Sequence, residues 1–242
     1  MDGAVSNHAV SVRELSRTFG ARKALDDVTF DLEAGAFLSI FGPNGAGKTT
    51  LVKVLTTLLA PSKGEASVCG LHVVEKAVEL RERIGLISHN PLLYPDLSAE
   101  ENLSFFAEMY GVSSPASRVR ELLDAVELGH RRLDLVRTFS RGMLQRLSIA
   151  RALLHKPEVL FLDEPYSGLD PHAVEIFDSL MAQIRKDHTF IMISHDLTKG
   201  LELCSHALIM SRGKIVLFAP KSEIDEESFA STFRATVGTG VA

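Results

Sequence analysis

A short apolar run that breaks off into a glycine loop constrains this chain more than any other feature. Residues 36–41 read Ala-Phe-Leu-Ser-Ile-Phe, and Gly42-Pro43-Asn44-Gly45-Ala46-Gly47-Lys48-Thr49-Thr50 follows at once. The pattern G-x-x-x-x-G-K-[ST] carries meaning when a strand precedes it and a helix follows. Residues 49–59, rich in leucine and valine and stopped by Pro61, supply that helix. The glycines let the backbone wrap closely enough for its N–H groups to face an anion, and the helix N-terminus adds positive potential. Lys48 is then placed to reach the β and γ phosphates of a nucleotide, and the Thr49 hydroxyl to meet Mg²⁺. Residues Gly42 to Thr50 are the candidate nucleotide contacts.

A second motif answers the first. Residues 159–162 are Val-Leu-Phe-Leu, a run suited to a strand buried on both faces, and Asp163-Glu164 follows. Carboxylates at the C-terminal end of such a strand stand where open α/β sheets bind ligands. Asp163 suits Mg²⁺ held through water, and Glu164 suits a base that polarises an attacking water. A GTPase would also carry an N/T-K-x-D base-reading motif, and the chain has none.

The rest of the pattern is α/β. Residues 10–18 and 28–32 alternate as half-buried strands, and 190–193 is another apolar run. Between 162 and 190, Ala173, Ile176, Phe177, Leu180, Met181 and Ile184 recur at helical spacing, which makes a βαβ unit. Residues 207–210 and 214–218 form a hairpin across Ser211-Arg212-Gly213, while 92–154 shows helical periodicity without a strand. Residues 223–242 read as an acidic tail ending in a flexible segment. The 26 Lys and Arg against 31 Asp and Glu, net −5 and unsegregated, argue against a chain that grips nucleic-acid phosphates. The two cysteines, Cys69 and Cys204, are far apart and suit small buried hydrophobes in a reducing cytosol. No signal-peptide h-region or spanning segment is present, so the expectation is a protein that does not itself cross a membrane.

Three further motifs decide among nucleotide-binding families: Phe139-Ser140-Arg141-Gly142-Met143-Leu144-Gln145-Arg146, Ser167-Gly168-Leu169-Asp170 and Ser194-His195-Asp196. With them, residues 10–218 resemble the ATP-binding cassette (ABC) family, five motifs standing in the family's order and spacing. The resemblance implies a P-loop NTPase core of RecA-like type, an N-terminal antiparallel β subdomain and a helical insertion carrying the signature. It implies one ATPase domain over 1–220 with the helical subdomain at 92–154, followed by the tail at 221–242.

The resemblance also implies roles. Phe19 would stack on adenine, and Ser140 and Gly142 would contact the γ-phosphate held by a second cassette. Ser140 is in addition a natural cap for a helix whose buried face is Met143, Leu147, Ala150 and Leu154. Asp170 would link the two sites across the dimer, and His195 would stand near the γ-phosphate. His89 occupies the place of the glutamine that usually meets Mg²⁺ and the water, and Arg141 and Met143 replace the usual glycine and glutamine of the signature. Those departures, with Glu100-Glu-Asn-Leu103, resemble the ATP-binding subunit of the haem exporter of cytochrome c maturation. The expectation is thus an ATPase that uses ATP and Mg²⁺, with Glu164, His195 and His89 as catalytic residues. Two copies would pair at the cytoplasmic face of the membrane and drive separate permease subunits through a surface near residues 92–101, with no nucleic-acid partner. The alternatives are a drug or lipid exporter, or a soluble ABC ATPase without a transport role; a small-molecule kinase leaves the signature and Asp170 unexplained.

Overall fold

The computed structural model describes residues 8–88 and 90–238. In chain order the elements are β1 (His8–Phe19), β2 (Arg22–Glu33), β3 (Phe37–Phe41), α1 (Lys48–Leu55), β4 (Lys63–Val68), β5 (Leu71–His72), α2 (Ala77–Arg81) and β6 (Ile84–Ile87). Then come α3 (Ala99–Met109), α4 (Pro115–Ala125), α5 (Arg141–Leu153), β7 (Val159–Asp163), α6 (Pro171–Ile184), β8 (Thr189–Ile193) and α7 (Leu197–Leu203). The chain closes with β9 (His206–Ser211), β10 (Lys214–Pro220) and α8 (Glu226–Gly238). This is the expected α/β architecture, with an antiparallel sheet in the order β2-β1-β4-β5 beside a six-stranded sheet in the order β10-β9-β3-β8-β7-β6.

The large sheet is parallel from β9 to β6, with β10 antiparallel at its edge. Its strands are apolar on both faces because both faces are covered. Leu160, Leu162, Phe190, Met192, Ala207 and Ile209 turn to a core shared with α3 to α6, while Val159, Phe161, Ile191, Ile193, Leu208 and Met210 turn to one shared with α1 and the antiparallel sheet. The period-2 alternation of a strand therefore assigns neighbours along the chain to opposite cores.

Several elements depart from the sequence expectation. Helix α1 ends at Leu55 rather than 59, because Thr56 turns its hydroxyl back to the Val52 carbonyl (2.8 Å) and Thr57 adopts φ 63°. The middle region is helical as expected, with α3 opened by a full capping box: Ser98 accepts from the Glu101 N–H and the Glu101 carboxylate accepts from the Ser98 N–H. The segment read as a tail is, over Glu226–Gly238, a helix. Phe229 is only 1% exposed, and it and Phe233 meet the Phe41 ring edge-on at 5.6 and 6.3 Å. Residues 239–242 lie outside the described residues. Both thiols are free; Cys204 is buried, but Cys69 is half-buried in a turn at φ 52°.

Candidate functional site

The site is assembled at the carboxyl ends of three adjacent parallel strands. The order β3-β8-β7 sets the glycine loop after Phe41, His195 after Ile193 and the Asp163-Glu164 pair side by side. Backbone bonds lock the strand ends: the Glu164 N–H donates to the Ile193 carbonyl (3.2 Å) and the Ser194 N–H to the Ile40 carbonyl (3.1 Å).

The loop itself needs its glycines. A β-carbon at Gly42 would collide with the Met210 carbonyl, and one at Gly47 (φ 107°) with the Ala24 carbonyl. The β9–β10 turn buttresses it, since the Gly213 N–H donates to the Ala46 carbonyl (2.9 Å). The Lys48 ammonium is buried and donates to the Gly42 and Pro43 carbonyls at 2.7 and 3.0 Å. Burial pushes that ammonium below the ordinary lysine range, against the pull of the Glu164 and Asp163 carboxylates.

Across the cleft the Thr49 hydroxyl stands 3.5 Å from Asp163 Oδ1. Burial, then the neighbouring Glu164 charge, raises the Asp163 carboxyl above its usual range. Glu164 sits at φ 55°, in the left-handed region that a non-glycine residue enters at a cost of roughly 1–3 kcal/mol. That backbone turns its carboxylate toward His195, whose Nε2 lies 2.7 Å from Glu164 Oε1. A cavity of about 330 Å³ is lined by Phe19, Asn44 to Thr50, Glu164 and Arg22. Phe19 keeps 48% of its surface exposed, with the Arg17 guanidinium over its ring at 4.7 Å. The Thr49 hydroxyl and Asp163 carboxylate are hard oxygen donors that fit Mg²⁺, which binds through one or two protein oxygens and completes its shell with phosphates and water.

The other expected residues gather elsewhere. Ser140 caps α5 by accepting from the Met143 N–H (3.3 Å), and Asp170 caps α6 by accepting from the Ala173 N–H (2.9 Å). The two helix starts abut, so that a β-carbon on Gly142 would lie 3.1 Å from Asp170 Oδ2. None of Ser140, Gly142 and Asp170 lines the cavity beside the glycine loop. Met143 is half-buried on α5, whereas Leu147, Ala150 and Leu154 are buried as expected. His89 lies outside the described residues. The sequence reading passed over Arg22, whose guanidinium approaches Gly45 and adds a cation to the loop. Its only signal was a basic residue three positions after Phe19.

Comparison with known proteins shows the family. The ABC transporter family model matches residues 25–167. The chain is 34% identical over 227 residues to the daunorubicin resistance ATP-binding protein DrrA3 of Streptomyces coeruleorubidus, covering 93% of this chain and 72% of that protein. It is 36% identical over 209 residues to the bacitracin transport ATP-binding protein BcrA of Bacillus licheniformis, covering 86% and 68%. Among solved structures, an ATP-binding subunit of an ABC transporter superposes with a TM-score of 0.86 at 28% identity, covering 95% of this chain and 99% of that one. A dimeric ATP-binding cassette in a post-hydrolysis state, bound to ADP and Pi, shares the fold at 23% identity with a TM-score of 0.80, covering 88% and 98%. The glycine loop, the paired carboxylates and the folded architecture thus converge with these relatives on one conclusion: the chain belongs to the ABC transporter family, as an ATP-binding subunit.

Proposed function

We propose that the chain is the ATP-hydrolysing subunit of an exporter of drug-like or antibiotic molecules, working as a cassette dimer that encloses two ATP. The observation that carries the catalytic part is the 2.7 Å contact between Glu164 and His195 beside the Lys48–Thr49 loop. In this reading Phe19 stacks on adenine, and the backbone from Gly42 through Pro43, Asn44, Gly45, Ala46 and Gly47 cradles the phosphates. Lys48 gives up its two carbonyl partners for phosphate oxygens, Thr50 contacts a further phosphate oxygen, and Thr49 and Asp163 hold Mg²⁺. The metal, when bound, neutralises charge spread over the phosphates. Glu164 accepts the proton of the attacking water, and His195 positions Glu164 and faces the γ-phosphate. His89 would meet the metal and the water.

Ser140 and Gly142 stand outside the nucleotide cavity of their own chain, which favours a role on the ATP of a facing cassette. Homodimerisation supplies that second cassette. Exposed apolar side chains support a permease-receiving surface here: Leu92 and Tyr94 are open to solvent, and Tyr94 packs on the exposed Phe105 with ring centroids 5.2 Å apart. Among the described residues no helix is long and apolar enough to cross a membrane, so separate subunits would form the pathway. Drug export is supported by the daunorubicin resistance and bacitracin transport relatives. The narrower likeness to the haem exporter finds no support among these relatives, and haem-linked cargo is set aside.

The test is tagged Glu164→Gln protein purified with ATP from its native membranes. Turnover should be lost while an ATP-bound dimer accumulates, and multi-span permease subunits should copurify. A wild-type hydrolysis rate would remove Glu164 as the base, and ribosomal or chromosomal partners without a membrane protein would overturn the transport reading.

A further inference from the structure

Two segments must hold still for Glu164 and His195 to keep their 2.7 Å contact, and one carboxylate on a third element touches both. Tyr166, two residues beyond Glu164, donates its hydroxyl to Asp178 Oδ1 at 2.7 Å. Lys199, four residues beyond His195, donates its ammonium to Asp178 Oδ2 at 2.8 Å. Each oxygen of Asp178 thus takes one donor from one catalytic segment. Asp178 itself is fixed on α6, in the turn following the buried Phe177, whose ring meets the Tyr166 ring edge-on at 4.9 Å.

The geometry points to Asp178 as a positioning residue that keeps the Glu164 and His195 segments in register for hydrolysis, an inference that rests on the catalytic roles proposed above. Three further observations make the clamp stiff. The Lys199 ammonium also lies over the Tyr166 ring at 5.6 Å, so the two donors brace each other. Asp196 caps α7 by accepting from the Lys199 N–H (3.0 Å), which ties the start of that helix to the residue beside His195. The Gln145 side chain donates to the Pro165 carbonyl (3.3 Å), bringing the signature helix α5 onto the turn after Glu164. Glu164, Tyr166, His195 and Lys199 line one common cavity of about 450 Å³. Glu164 holds an unfavourable left-handed φ, and a residue in that state keeps its geometry only where its surroundings over-determine it.

The clamp touches neither the glycine loop nor Phe19, which separates its effect from nucleotide affinity. Asp178→Asn in the full chain, assayed with ATP and Mg²⁺, should lower kcat roughly 10- to 100-fold, the scale expected for a catalytic group displaced by about 1 Å. KM for ATP should change less than about twofold, a ratio small beside one tenfold step in affinity. Tyr166→Phe and Lys199→Met should each show the same split. Adding either change to Asp178→Asn should give little further loss, because residues of one network are not additive. An unchanged kcat in Asp178→Asn, a loss that appears in KM instead, or fully additive losses would overturn the clamp. Glu164→Gln in the same assay keeps the two readings apart. An inactive Glu164→Gln beside a fully active Asp178→Asn refutes the clamp alone, whereas an active Glu164→Gln refutes the catalytic assignment on which it rests.

Discussion

Gly47 shows what a single residue contributes. Its φ of 107° and the Ala24 carbonyl leave no room for a side chain, so Gly47→Ala strains the loop or moves it. A strain of ~1–3 kcal/mol converts to a loss in ATP affinity of about 5- to 150-fold, measurable by nucleotide titration. Asp163 gives a pH prediction. Its folded pKa is raised, so it favours folding when protonated, and that contribution disappears as pH rises through the folded value. The nucleotide-free Asp163→Asn variant should therefore melt above wild type at pH 7.5, and the difference should shrink toward acidic pH. A lower Tm for the variant at pH 7.5 would count against this sign. Glu164 and Lys48 were legible because their spacing is a chemical pattern. Arg22 was not, because nothing in a lone arginine on a strand says which loop it will face.

Element ends carry both stability and chemistry here. Ser140 caps α5, and the cap alone is worth ~1 kcal/mol. Ser140→Asp preserves the cap and suits the helix dipole, so stability should hold. Turnover should fall by more than about tenfold if the residue also faces a γ-phosphate, since like charges across an interface cost several kcal/mol. Unaltered hydrolysis by Ser140→Asp would leave Ser140 a cap and no more. Helix α8 is the counter-example to reading elements from composition. Its acidic start resembles a solvated tail, yet Phe229 reaches the Phe41 ring at the end of β3. Phe229→Ala should cost about 3 kcal/mol, seen as a Tm roughly 6–12 °C lower. Strands β4 and β6 escaped the sequence reading for a related reason: Lys63–Val68 is polar on one face, and Ile84–Ile87 is only four residues long. Neither carries enough period-2 signal to stand out.

At the scale of the whole molecule, each chain holds a phosphate loop in one place and a signature helix start in another, and the proposed cycle needs two chains to bring them together. Glu164→Gln with ATP should therefore run at twice the monomer mass by light scattering and revert when ATP is removed. A variant that stays monomeric at saturating ATP would contradict the paired arrangement. Residues 36–49 and 159–164 determined by themselves that the chain binds a nucleoside phosphate beside a parallel strand, because the glycine geometry, the lysine and the carboxylates are local requirements that spacing can encode. Which strands became neighbours, and so which loop ends met, was decided by the tertiary structure. Insertion of β8 between β3 and β7 sets His195 against Glu164 across 31 residues of chain, and Asp178 joins Tyr166 to Lys199 through an α6 helix whose sequence periodicity reports only its buried face. Pairwise spacing along a chain records what a residue can do; the packing of both sheet faces against separate cores fixes what it can reach.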